Sequence, residues 1–448
     1  MLRLSCRAVA IGVAVGLMLP GCSRDQTGTL EEASEPVQTA SEPSVDSSPL
    51  AAGESAELAE DVGSRPVRLA PAIRSIVRGR TEPGSVALFD GQSLFGWEPA
   101  DAADESSAAW EVEGGLRGTV ADGGAPQTLR TFVPWQDGEL RFDARSDPKT
   151  DAAVLLRMPG PNVDRLDRPY RIELNSLADP GKLSIGGFRV TPENADAEGW
   201  VTVTATLARG KINASGGNTS SSFDARRGLP AAGPIGIVVE AGSVTLRNLY
   251  FTPKVESAMS DDLADWRVVN QQMKDGSLAE VSFEAVGGGV RGTGGPGFLE
   301  SVATYDDFVA QFEFTTNALD VNAGLFYRTI AGTPDAPSNG YEVQIHNGYD
   351  GPDRIPVNGG SGGIFRRQDA RVVVSADTRP SVMTVNAFGD RVMTWVDGYP
   401  VVAWQDTRDD DPNPRRGRRL EAGHLSFQSH DPGSDVTIRN VRVSPLGK

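Results

Sequence analysis

Tyr341-Glu342-Val343-Gln344-Ile345-His346 alternates apolar and polar side chains at every step. Successive side chains of an extended strand leave opposite faces, so Tyr341, Val343 and Ile345 point one way and Glu342, Gln344 and His346 the other. The same rhythm stands 171 residues earlier, in Tyr170-Arg171-Ile172-Glu173. Further runs of this kind, such as Leu140-Arg141-Phe142-Asp143-Ala144 and Val392-Met393-Thr394-Trp395-Val396, are separated by Gly, Pro, Asn and Asp, with almost no stretch of helical period. Short half-buried strands between turn signals predict an all-β sandwich.

Working outward, the order of features around the two strands is itself repeated. The first pass runs Trp97, Trp135-Gln136-Asp137-Gly138-Glu139-Leu140, Ala153-Val154-Leu155-Leu156-Arg157, then Tyr170. The second runs Trp266, Tyr305-Asp306-Asp307-Phe308-Val309-Ala310, Gly324-Leu325-Phe326-Tyr327-Arg328, then Tyr341. Both close on an aliphatic strand followed by Arg-Asn, at Arg247-Asn248 and Arg439-Asn440. The offset is 169 residues at the Trp pair and 192 at the Arg-Asn pair, so the second copy carries insertions after Tyr341. The Gly- and Asp-rich loop 347–363 and the charged loop 405–420 account for them.

The remainder of the chain is address and tether. Arg3 and Arg7 precede an apolar stretch from Ala8 to Leu19, the shape of an export signal and too short to span a bilayer of about 30 Å. Leu19-Pro20-Gly21-Cys22 resembles the lipobox of bacterial lipoproteins, which implies lipidation at Cys22, although Pro20 departs from the usual pattern. An ordinary signal peptide that happens to carry a cysteine is the alternative. Ser23 to Ser64 holds ten acidic residues against one Arg and no aromatic residue, a composition that cannot bury enough apolar area to offset ordering entropy. The reading is a signal at 1–22, a disordered acidic linker with a basic, solvated end at 23–80, and two sandwich domains at 81–255 and 256–448. The protein is expected to be exported to the bacterial cell envelope, anchored to membrane through its N-terminal lipid alone, and monomeric.

Composition narrows the partners. The 448 residues include 43 Lys and Arg against 60 Asp and Glu, a formal charge of −17. Such a balance argues against a general electrostatic grip on nucleic acid or on an anionic membrane surface. Cys6 and Cys22 are the only cysteines, which leaves the body without a disulfide framework, thiolate zinc site or Cys nucleophile. Gly292-Thr293-Gly294-Gly295-Pro296-Gly297 has GxGxxG form, but Pro296 and a strand-like continuation make it a hairpin loop.

Leu88-Phe89-Asp90-Gly91-Gln92-Ser93-Leu94-Phe95-Gly96-Trp97, Gly340-Tyr341-Glu342-Val343-Gln344-Ile345, Gln428-Ser429-His430 and Ile438-Arg439-Asn440-Val441-Arg442-Val443 together resemble the motifs of the 3-keto-disaccharide hydrolase family. The resemblance covers both copies. It implies tandem concanavalin- or laminin-G-like jelly rolls, a carbohydrate ligand on a concave face, and glycan-directed activity.

Strand alternation puts Ser426, Gln428 and His430 on the polar side of their strand, as it does Glu342, Gln344 and His346. The resemblance supports Glu342 and His430 as the acid–base groups, Arg328 as the donor to a developing enolate, and Gln344, His346, Gln428 and Tyr327 as substrate-binding residues. The competing reading is a set of solvated strand faces with Arg328 in a surface ion pair. No cofactor is certain; Asp350 and Asp353 are weak candidates for a divalent metal such as calcium, which takes hard oxygen donors. All three histidines, His346, His424 and His430, fall in the second copy, and alignment puts Arg171, Glu173 and Asn175 where Glu342, Gln344 and His346 stand. Catalysis is therefore expected in the second copy, with the first as a binding or structural module. Trp395, Trp404 and Tyr399 offer stacking surfaces for a sugar, Trp395 being the best candidate for the core. A non-catalytic carbohydrate-binding protein is the alternative function.

Overall fold

The computed structural model describes residues 69–447, apart from 81, 101–108, 148, 159–168, 175–195, 209–210, 217–218, 225–229 and 338. The export signal, Cys22, the acidic tether and Asn175 lie outside the described residues. Two tandem antiparallel β-sandwiches make up nearly all of what is described.

In the first copy the half-buried strands keep the alternation that the sequence dictates. Gly138–Ser146 and Val201–Ala208 bury every second side chain, Leu140, Phe142 and Ala144 against Val203, Ala205 and Leu207. The 18-residue strand Gly236–Pro253 belongs to both layers. Its first part pairs with Gln127–Thr131 and Asp151–Leu156, its second with Leu116–Val120 and Gly138–Ser146. Gly242 sits where the chain changes layers, at φ +72°, and a Cβ there would meet Thr150 Cα at 2.9 Å. Glycine is needed at this bend for both its conformation and its size.

The second copy divides the same path into two strands, Gly423–Ser429 and Asp435–Pro445, with residues 430–434 between them. Its layers are thus separate. One is a five-stranded sheet in the order Trp266–Asn270, Gly297–Tyr305, Gly423–Ser429, Ala323–Ile330, Asn339–Ile345. The other has eight strands and centres on Phe308–Thr316, Ser381–Phe388 and Asp435–Pro445. Phe312, Phe314, Leu325, Tyr327, Val343 and Phe427 fill the space between them.

The copies share a core. Trp135 of the first lies 5.3 Å from Trp395 of the second, centroid to centroid, and 4.7 Å from Phe251. Trp395 donates to Ala87 O at 2.9 Å, Asn386 to Pro134 O at 2.7 Å and Gln311 to Gly84 O at 2.7 Å. Val309, Met393 and Trp395, on the outer side of the eight-stranded sheet, join the hydrophobic core of the first copy. Trp395 is therefore a joint between copies and has no surface to offer a sugar; Tyr399 is buried, and Trp404 packs edge-on against Tyr341 at 6.0 Å.

One departure concerns the linker end. Residues Pro71–Gly79 are an α-helix, where the sequence reading has solvated chain up to residue 80. Pro71 opens it, at a position whose N–H has no intrahelical partner to lose. Ile73 is buried, Ile76 and Val77 pack beside it on the second copy's core, and Tyr250 donates its hydroxyl to Ile76 O at 3.2 Å. Three apolar side chains at helical spacing dock the segment in spite of the surrounding arginines. Among the described residues no helix is long and apolar enough to cross a membrane.

Candidate functional site

The register of the five-stranded sheet decides which side chains meet. Arg267, Glu300, Ser426, Phe326 and Glu342 stand side by side across it in one row. Val269, Phe298, Gln428, Gly324 and Gln344 form the next row on the same face. Phe298 and Phe326 contact edge-to-face at 5.2 Å and, with Val269, make a small apolar floor. Around it the polar wall foreseen from alternation is present, but it is buried instead of solvated. Glu342 is 8% exposed and Gln344 1%.

The insertions of the second copy produce that burial. Residues 362–365 run along the free edge of Asn339–Ile345: Gln344 donates its N–H to Gly363 O, Gly362 to Gln344 O and Phe365 to Glu342 O. An edge that would otherwise expose unpaired backbone is closed. From the other inserted loop Arg415 reaches over Phe326, its guanidinium 5.5 Å from the ring centroid. Glu342 opens into a cleft lined by Phe365, Arg366, Arg367, Pro414 and Arg415.

Burial pushes the Glu342 carboxyl up to about 7, with Arg415 and then Arg366 opposing the shift. Gly324 faces this carboxylate across the strand pair, and a Cβ there would lie 3.2 Å from Glu342 Cγ and Oε1. Beside it, Gln344 donates its amide to Asn322 Oδ1 at 2.7 Å. Gln344 Oε1, Gln428 Oε1 and Ser426 Oγ are buried and have no hydrogen-bond partner among the described residues. These three orphaned atoms lie beneath the surface in two adjoining rows, and the group this face presents to the cleft is the Glu342 carboxyl, which can hold or release a proton near neutrality.

Other expected site residues lie elsewhere, and the reasons are physical. Arg328, proposed as the enolate donor, is buried with its guanidinium committed to Asp307 at 3.0 Å and to the carbonyls of Asp306, Gly389 and Arg419. It ties loops together and cannot reach the opposite face. Tyr327 points into the core, stacked on Tyr341 at 5.0 Å, and its phenol is raised by burial. His346 shares the face of Gln344 but is 5% exposed, its Nδ1 accepting the Gly348 N–H at 3.2 Å under the inserted loop. His430 is exposed and pairs with Asp431 Oδ2 at 2.9 Å. It lies four residues along its strand from the row of Glu342 and two strands across, roughly 16 Å away backbone to backbone. The expected convergence of Glu342 and His430 on one sugar bond is absent. Asp350 and Asp353 are exposed, and among the described residues no three His, Cys, Asp or Glu side chains gather as a metal site.

Sequence reasoning placed Ser426 on the polar face but missed Arg366 and Arg415 as site residues and the Arg267–Glu300 pair, in which Glu300 is fully buried and also accepts the Gly332 N–H at 3.0 Å. The two arginines had a signal, the offset growing after Tyr341; the ion pair had none.

The equivalent face of the first copy is built differently. Glu98, Arg130, Gly236, Leu155 and Arg171 form its row, so the ion pair of the second copy recurs with its charges exchanged, Arg130 to Glu98 at 2.8 Å. The neighbouring row holds Thr128, Val238, Ala153 and Glu173. Arg171 and Glu173 thus stand where Glu342 and Gln344 do, as the alignment of the copies expects. Arg171 is bound to Glu173 at 2.7 Å and to Glu240 at 3.3 Å, and Ala153, Leu155, Met158 and Val238 cover the sheet with apolar side chains.

A family model, that of the 3-keto-alpha-glucoside-1,2-lyase-like domain, matches residues 84–252 and again residues 257–444. No curated protein matches the chain. Among solved structures, a Parabacteroides distasonis protein with a provisional glycosyl hydrolase designation is similar at 18% identity, covering 41% of this chain and 89% of its own, with a TM-score of 0.33. The carbohydrate-binding module CBM66 from Bacillus subtilis is similar at 15% identity over 42% of this chain and 99% of its own, TM-score 0.29. A Bacillus subtilis protein of unknown function with a galectin-like fold is similar at 13% identity over 44% and 96%, TM-score 0.27.

Proposed function

This chain belongs to the 3-keto-alpha-glucoside-1,2-lyase-like domain family, with two tandem copies, and from that premise we propose that its second copy cleaves the glycosidic bond of 3-keto-glycosides with Glu342 as the acid–base group. A ketone at C3 acidifies the hydrogen on C2. Ionised Glu342 takes that proton, the C1–C2 double bond forms as the C1–O bond breaks, and the protonated carboxyl passes its proton to the leaving oxygen. Water added across the double bond afterwards would complete a hydrolysis. One carboxyl with a pKa near the working pH can serve both transfers.

The observation that carries this reading is a single carboxyl, pushed up to about 7, that opens into a cleft lined by Arg366, Arg367 and Arg415. An ordinary glycosidase needs two carboxyl groups about 5–9.5 Å apart. The other carboxylate in the row, Glu300, is three strands away, roughly 14 Å, and is already paired with Arg267. Arg415 and Arg366, in place of Arg328, supply positive charge beside the developing enolate.

The first copy, with its self-paired ions and apolar face, acts as scaffold. Delivery to the cell envelope and anchoring at Cys22 remain part of the proposal and rest on residues 1–22. The test is turnover of a 3-keto-disaccharide, with an EDTA arm to reveal a role for a divalent cation. Glu342→Gln should lose at least about a hundredfold in rate, while His430→Ala stays within about twofold of the parent. Equal rates for Glu342→Gln and the parent would sink the assignment. Sugar binding without turnover would favour a carbohydrate-binding module.

A further inference from the structure

The cleft at Glu342 is positively charged in a chain whose formal charge is −17. Arg366, Arg367 and Arg415 line it, and all three are exposed. Other arginines of the second copy find acids: Arg408 pairs with Asp406 at 2.8 Å, Arg418 with Asp410 at 2.7 Å and Arg371 with Asp90 at 2.9 Å. None of the three cleft arginines forms an ion pair among the described residues. Arg367 instead donates to two backbone carbonyls, Arg415 O at 2.9 Å and Arg366 O at 3.4 Å. Burial holds its guanidinium below the usual arginine range, and neighbouring Arg408 and Arg366 add to that.

Crowding like charges costs energy that a merely solvated loop has no reason to incur. Among the described residues the only acid lining the cleft is Glu342, which is protonated through much of the range up to neutrality; Asp406, whose charge also acts on Arg367, is already paired with Arg408. Each guanidinium can take a carboxylate or sulfate through two parallel N–H donors, a geometry that a neutral hydroxyl cannot match.

We infer that the second copy's site takes an acidic glycan, one carrying a carboxylate or sulfate ester held by Arg366 and Arg415 while the adjoining ring lies in the cleft beside Glu342 and Phe365. This inference rests on the reading of that face as the glycan site and deepens it by naming the substrate class. Among the described residues the first copy shows no such cation cluster on its matching face, where Arg171 is neutralised by Glu173 and Glu240.

The test separates charge recognition from chemistry. Calorimetric titration of the intact protein with a glucuronic-acid-containing disaccharide, its 6-sulfated glucose counterpart and the neutral glucose disaccharide should show the two acidic sugars binding about tenfold or more tightly than the neutral one. Whichever acidic sugar binds the tighter identifies the anion. The preference should shrink in 0.5 M salt and disappear in the Arg366→Gln/Arg415→Gln double variant, whose affinities for the acidic and neutral sugars should become equal. Equal binding of all three sugars, failure of the acidic sugars to bind at millimolar concentration, or a preference that survives the double variant would overturn the inference. Cleavage of the 3-keto forms is scored separately. Acidic preference without cleavage keeps this inference and removes the lyase reading; cleavage of neutral and acidic forms with equal efficiency does the reverse.

Discussion

Glu342 and Arg328 are both buried charged residues on adjacent strands, yet they face opposite problems. Arg328 is surrounded by acceptors; Glu342 has no ion pair among the described residues and holds its proton up to about pH 7. Removing Arg328 leaves Asp307 buried without its cation, so Arg328→Met should cost about 3 kcal/mol or more in denaturant unfolding. Turnover per folded molecule should be unchanged. For Glu342 the sign runs the other way. Its folded pKa lies above the ordinary value of 4.5, so the folded state binds the extra proton, and stability present below about pH 4.5 is lost as pH rises through about 7. The loss amounts to roughly 3 kcal/mol. Denaturant melts of the parent at pH 5 and pH 8 should differ by that much more than melts of Glu342→Gln, which cannot titrate; parallel pH dependences would mean the carboxyl is not desolvated.

At the level of the elements, Asn339–Ile345 and Ala323–Ile330 act as a matched pair. Their alternation was legible in the sequence, and so was the set Glu342, Gln344 and Gln428 on one face. What alternation could not tell was that the polar face would be closed over. Loops 347–363 and 405–420 do that, and a loop's path follows from distant contacts such as the buried network in which Ser361 and Ser375 donate to Asn347 Oδ1. The same pair explains Gly324, whose missing side chain leaves room for Glu342. Gly324→Ala should displace the carboxyl by a fraction of an ångström, cutting turnover of a 3-keto-disaccharide at least about tenfold. Its stability cost should be about 1–2 kcal/mol. A variant as active as the parent would show that Glu342 needs no defined position.

Over the whole molecule the two copies are joined through Trp135, Trp395 and the hydrogen bonds to Gly84, Ala87 and Pro134. A deletion to alanine at Trp395 should therefore cost about 3–5 kcal/mol and lower the unfolding midpoint of both copies together. Calorimetry on the parent should give one transition; two resolved transitions, only one of them moved by Trp395→Ala, would show that the copies unfold independently.

By itself the sequence determined the duplicated sandwich, because period-two alternation and turn residues are local and recur in order. It likewise determined the polar set on the second copy's inner strands and the loss of that set in the first. Only the tertiary structure decided that Arg328 and Tyr327 belong to the core, that His430 stands apart from Glu342, and that Arg366 and Arg415 meet at the cleft. Those outcomes depend on strand order, since the Gly423–Ser429 strand lies between strands far from it in sequence, and on where long loops return. Neither is encoded in the spacing of residues along a single strand.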